Sequence, residues 1–82
     1  MPRKHKRIMT NPLRAYLLLK GLTGTEFAER IGVHQSVLSR LMDGKRQASL
    51  DMLLLIEKHS GGQVTPAVWL RWWRKHQARE MA

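Results

Sequence analysis

An all-α domain of five helices is predicted by three features of this 82-residue sequence. Helix-starting residues stand ahead of apolar runs, at Asn11-Pro12, Thr23, His34, Ser49 and Thr65-Pro66. Glycines follow those runs, at Gly21, Gly32, Gly44 and Gly61-Gly62. No segment sustains the two-residue alternation or the β-branched and aromatic clustering of strands.

Each element follows from its own punctuation. Residues 1–10 read as a flexible basic arm. Asn11 is a good N-cap and Pro12 a good first helical residue, so the first helix should run from Pro12 to Lys20 and stop at Gly21. Thr23-Gly-Thr-Glu26 fits a capping box, which starts a second helix ending near Ile31. Gly32 can take the positive φ of a tight turn, and Val33 can plug the corner. His34 takes the N-cap place of a third helix, Gln35 to Met42, closed by Asp43-Gly44. Lys45 to Ala48 is a connecting loop. Ser49 caps a fourth helix, Leu50 to His59, and Gly61-Gly62 breaks the chain. Thr65 caps and Pro66 starts a fifth, reaching about Arg79. The expected layout is thus an arm (1–10), a helical body (11–65) and a Trp-rich, basic, amphipathic helix (66–82) belonging to the same domain. The expected core is Leu13, Tyr16, Leu17, Phe27, Ala28, Ile31, Val33, Leu38, Leu41, Leu50, Leu53, Leu54 and Ile56, which recur at helical spacing. Leu18 and Leu19 lie away from Leu13 and Tyr16, so something should cover them.

Composition narrows the partners. Fifteen Lys/Arg against six Asp/Glu give a net charge of +9, which points to a polyanion. The cations cluster in Arg3, Lys4, Lys6 and Arg7, in Lys45 and Arg46, and in Arg71, Arg74, Lys75 and Arg79. Cysteine is absent, which excludes disulfides and thiolate metal sites. No run approaches the roughly 20 apolar residues of a membrane span, and no apolar segment of a signal peptide follows the charged start. A cytoplasmic protein is expected. The four histidines form no His-x-x-x-His pair, and neither a phosphate loop nor a paired-carboxylate arrangement is present. No metal, no cofactor and no enzymatic activity are expected.

The most informative segment is Gln35 to Asp43. Wound as a helix, Gln35, Ser39, Ser36 and Arg40 cover an arc of roughly 140° on one side. Val37, Leu41, Leu38 and Met42 cover a similar arc opposite. One face can anchor in a core while the other offers short donors, acceptors and a guanidinium.

Residues 22–58, Leu-Thr-Gly-Thr-Glu-Phe-Ala-Glu-Arg-Ile-Gly-Val-His-Gln-Ser-Val-Leu-Ser-Arg-Leu-Met-Asp-Gly-Lys-Arg-Gln-Ala-Ser-Leu and the helix that follows, resemble the Cro/phage-repressor type of helix-turn-helix regulator. Gly61-Gly-Gln-Val-Thr-Pro66 resembles the ending of such domains. The resemblance implies a five-helix, lambda-repressor-like DNA-binding fold. In it the second helix crosses the sugar-phosphate backbone and the third enters the major groove. It also implies that Gln35, Ser36 and Ser39 lie where the family contacts bases and phosphates, with Arg40 beside them. His34 departs from the usual Ser/Thr cap, and Val37 from a frequent Thr.

The chemistry of these side chains suits that task. Gln35 can pair bidentately with adenine, and Val37 can meet a thymine methyl or pack inward. Ser36 and Ser39 bond whatever comes close. Base contacts are therefore expected from Gln35, Ser36, Ser39 and Val37. Phosphate contacts are expected from Thr23, His34, Arg40, Lys45 and Arg46. Arg3, Lys4, Lys6 and Arg7 can follow the duplex or enter a narrow minor groove.

Trp69, Trp72 and Trp73 occupy one face of the last helix with Val68, Leu70 and His76. That face can close the core, covering Leu18 and Leu19, or form a two-fold seam or partner surface. A homodimer would read a palindromic operator. The expected function is a sequence-specific double-stranded DNA-binding regulator, a bacterial or phage repressor acting on the nucleoid. The alternative is an antitoxin that binds its own operator and a toxin protein. No membrane partner is expected.

Overall fold

The computed structural model describes residues 10–81, with side chains as far as Ala78. Five helices follow in order: α1 (Pro12–Lys20), α2 (Gly24–Ile31), α3 (Gln35–Met42), α4 (Leu50–His59) and α5 (Pro66–Met81). No strand occurs among the described residues. The expected arm, Arg3, Lys4, Lys6 and Arg7 included, lies outside them.

The caps form as their chemistry dictates. Asn11 Oδ1 accepts the Leu13 and Arg14 N–H groups at 2.9 and 3.1 Å. Ser49 Oγ accepts the Met52 N–H. Thr23 Oγ1 accepts the Glu26 N–H at 3.1 Å, while Glu26 Oε1 accepts the Thr23 N–H at 2.8 Å, completing the box. The Thr23 backbone N–H, and then its hydroxyl, hold the Glu26 carboxyl below the ordinary value of 4.5. The folded value is the lower one. Ionised Glu26 therefore adds stability that is full above about pH 4.5 and is lost as the pH falls through the lowered value. The urea-midpoint advantage of the natural chain over Glu26→Gln is expected to shrink from neutral pH to about pH 3. An advantage independent of pH would exclude the charged box.

The core joins Leu13 and Leu17 of α1, Phe27, Ala28 and Ile31 of α2, Leu38, Leu41 and Met42 of α3, Leu53 and Ile56 of α4, and Trp69 and Trp72 of α5. Ala48 and Val64, from the loops, complete it. α2 packs on α3, and α5 lies across α1 and α4. Ser60, fully buried, staples the α4–α5 loop: its hydroxyl donates to the Glu57 carbonyl and accepts the Val64 N–H.

Two core expectations are corrected. Leu50 is 64% exposed and Leu54 47% exposed. Leu53-Leu-Leu-Ile56 is an unbroken apolar run, and at about 100° per residue it covers more of the helix than one packed stripe can take. Leu53 and Ile56 face inward and Leu54 is left out. The same geometry governs α1. Leu18 and Leu19 remain 76% and 75% exposed, so α5 does not cover them.

Candidate nucleic-acid interface

α2 ends at Gly32, whose φ of 77° turns the chain so that the Gly32 and Val33 N–H groups bond back to the last carbonyls of α2. Val33 packs on the core at the corner. α3 then leaves at an angle with its apolar arc buried: Leu38 is fully inside, with Leu41 and Met42 beside it. On the opposite arc Gln35, Ser36 and Arg40 are exposed and Ser39 is half-buried. Eight residues make a helix about 12 Å long, and a major groove about 12 Å wide admits it.

His34 starts this helix. Its Nδ1 accepts the Ser36 N–H at 3.1 Å, a cap of the kind that Ser or Thr usually supplies. Accepting at Nδ1 places the ring proton on Nε2, a donor directed away from the helix. Ser36 Oγ lies 2.8 Å from the same Nδ1. Val37 divides its surface. It packs on the core and, half-exposed, lines a small cavity of about 90 Å³ with Leu41, Arg46, Gln47, Ser49 and Met52. Thr23 stands exposed at the start of α2, its backbone N–H and hydroxyl engaged by the capping box.

At the other end of α3, Gly44 adopts φ 74°, and the Lys45 N–H bonds back to the Arg40 carbonyl. Lys45 and Arg46, both exposed, follow that turn at the C-terminal end of α3. Asp43 is the one acid here. Arg14 of α1 pairs with it at 2.7 Å. A half-exposed pair adds about 0–1 kcal/mol to stability. Its larger effect is electrostatic, because it neutralises a carboxylate beside a face of cations.

The geometry is that of two helices crossing at a glycine corner, the second presenting a polar edge. A helix-turn-helix family model, of the Cro/C1, lambda-repressor-like type, matches residues 13–61. The chain belongs to this family. The match takes in more than half of the sequence and spans α1 to α4. The family is non-enzymatic and binds DNA sequence-specifically in transcriptional regulation. No curated protein and no solved structure shows a significant match to the chain. Among the described residues no helix is long and apolar enough to cross a membrane, and no group of side chains could hold a metal ion.

α5 lies beyond the matched region, and there the expected surface is corrected. Trp69 is 1% exposed and Trp72 6%, so neither can meet a partner without leaving the core. Their rings pack edge to face, 5.6 Å apart at 72°. Trp73 is half-buried and keeps some outward area. Three contacts here escape sequence reading: the Arg14–Asp43 pair, the Ser60 staple, and a close approach of His76 to Gly44. The His76 ring stacks on Trp72, centroids 5.2 Å apart at 20°, and covers Gly44 so tightly that a Cβ there would overlap Nε2 and Cδ2. Gly44, ending the third helix and followed by two cations, was visible in the sequence; its partner, thirty-two residues on, was not.

Proposed function

We propose that the protein represses transcription by laying α3 in the major groove of a specific duplex. Gln35, Ser36, Ser39 and the exposed part of Val37 meet base edges. His34 through Nε2, Arg40, Lys45 and Arg46 hold the flanking phosphates. Thr23, whose polar groups serve the capping box, has the least to offer of the expected phosphate ligands. The observation that carries this reading is the division of α3 into an apolar side buried at Leu38, Leu41 and Met42 and a polar side exposed at Gln35, Ser36 and Arg40, with two exposed cations following the helix. Occupancy of the duplex then excludes polymerase. The reading places the protein on the bacterial or phage genome in the cytoplasm. A homodimer on a palindromic site belongs to the same proposal, with a seam drawn from Trp73 and the exposed leucines rather than from Trp69 and Trp72.

Selection of bound sites from random duplexes should yield a consensus. On that consensus, Gln35→Ala should weaken binding about 5–150-fold, the equivalent of one bidentate base pairing of 1–3 kcal/mol. Affinity for random DNA should stay unchanged. Equal losses on both would remove Gln35 as a base reader. A dimeric mass with a palindromic consensus supports the two-fold form, and a monomer on an asymmetric site excludes it.

One observation favours a second reading, the antitoxin. Leu18 and Leu19 sit side by side on α1, each about three-quarters exposed, on a face that an apolar partner could bury. Co-purification of a small toxin that is abolished by Leu18→Lys would establish it.

A further inference from the structure

We infer that the outer face of α5 is a second phosphate-binding strip, carried by Arg71, Arg74 and Lys75 and held beside the exit of the recognition helix by the His76–Gly44 contact. The inference rests on the duplex-binding role proposed above and extends it to a helix outside the family match. From Pro66 to Ala78 there are three cations and no acid. Arg71, Arg74 and Lys75 are all exposed, and among the described residues the only ion pair is Arg14–Asp43. They border an open hollow with Ala67 and Leu70. Three unneutralised cations on one helix attract phosphate, and what decides for DNA over an acidic protein is position.

His76 sets that position. Its ring lies against Gly44, the residue that turns the chain from α3 into Lys45 and Arg46. Arg74 and Lys75 immediately precede His76 and project on opposite sides of it on the helix, at about 160° and 100°. Arg71 lies one turn before Lys75, on the same flank. The C-terminal half of α5 is therefore fixed next to two cations already assigned to the DNA backbone. In this proposal Lys75 and Arg71 extend, along α5, the cations that Arg40, Lys45 and Arg46 supply at the exit of α3. A duplex seated on α3 continues past that exit, so phosphates outside the base-read segment meet α5. Such contacts carry no sequence information; they raise affinity and salt sensitivity.

The test is the salt dependence of binding to a mixed-sequence duplex of about 30 bp, which needs no knowledge of the operator. The slope of log K against log[salt] should fall by about 0.9 for each phosphate that is no longer neutralised, up to about 2.7 for Arg71→Gln/Arg74→Gln/Lys75→Gln. Lys75→Gln alone should lower it more than Lys58→Gln, the same charge change on the exposed side of α4. Circular dichroism should show all three variants folded, since these side chains are exposed. An unchanged slope in the triple variant overturns the strip and leaves α5 to an acidic protein partner. Equal effects of Lys75→Gln and Lys58→Gln overturn it too, because net charge alone would then account for them. Failure of the major-groove reading shows separately, as an absence of any site preference in the natural chain.

Discussion

Trp69→Ala is expected to destabilise the domain by about 3–5 kcal/mol, the usual range for emptying a buried aromatic site. Trp69 is almost completely enclosed, and α5 is the element that closes the core over α1 and α4. A chain of this length has about 4–12 kcal/mol of total stability. The loss therefore takes much or all of it, and α3 is left without the body that holds its apolar arc. Thermal and urea unfolding should report the shift directly, and DNA affinity should fall in proportion to the folded fraction. Trp69→Phe should cost much less. It keeps a ring for Trp72 to pack on, and it removes Nε1, a buried N–H with no hydrogen-bond partner among the described residues. Trp73→Ala, at a half-buried position, should also cost less than Trp69→Ala. A Trp69→Ala protein within about 1 kcal/mol of the natural one would mean that α5 is an appendage and not part of the core.

The elements whose signals are local were legible in the sequence. Asn11-Pro12, the Thr23–Glu26 box, Gly32, Ser49 and Thr65-Pro66 fix helix ends through bonds spanning two to four residues, and those bonds are present. The two-faced character of α3 was equally readable, because its four apolar and four polar side chains separate cleanly on a helical wheel. What the sequence left open was the angle at which helices meet. Three contiguous leucines in α1 and a Leu-Leu-Leu-Ile run in α4 offer more apolar surface than one stripe can bury. The packing of α2 and α5 on these helices puts Leu17 and Leu53 inside and leaves Leu18 and Leu54 out. The tryptophans carry the same ambiguity. Their spacing on α5 puts them on one face, and the same face could have closed a core or a dimer. Trp69 and Trp72 turn inward because α1 and α4 leave room there. Contacts between distant residues, Arg14 with Asp43 and His76 with Gly44, have no periodic signature.

Gly44→Ala tests the most consequential of those distant contacts. A left-handed backbone at a residue with a side chain costs about 1–2 kcal/mol, and Gly44 sits at φ 74°. The new methyl would also occupy the space of the His76 imidazole. The ring cannot swing aside freely, since it is stacked on the buried Trp72. Overpacking of this kind adds about 1–3 kcal/mol, so the total should be about 2–5 kcal/mol. In a His76→Ala background the overlap is gone, and only the backbone part, about 1–2 kcal/mol, should remain. The difference between the two backgrounds, read by urea unfolding of the four proteins, is the coupling of α5 to the exit of the recognition helix. Binding should follow the same pattern. Gly44→Ala displaces Lys45 and Arg46 along with the turn, so it should weaken binding to random and selected duplexes alike, and His76→Ala should restore part of the loss. An identical cost in both backgrounds would place the imidazole elsewhere. It would also remove the clamp that sets Lys75 and Arg71 beside the DNA backbone.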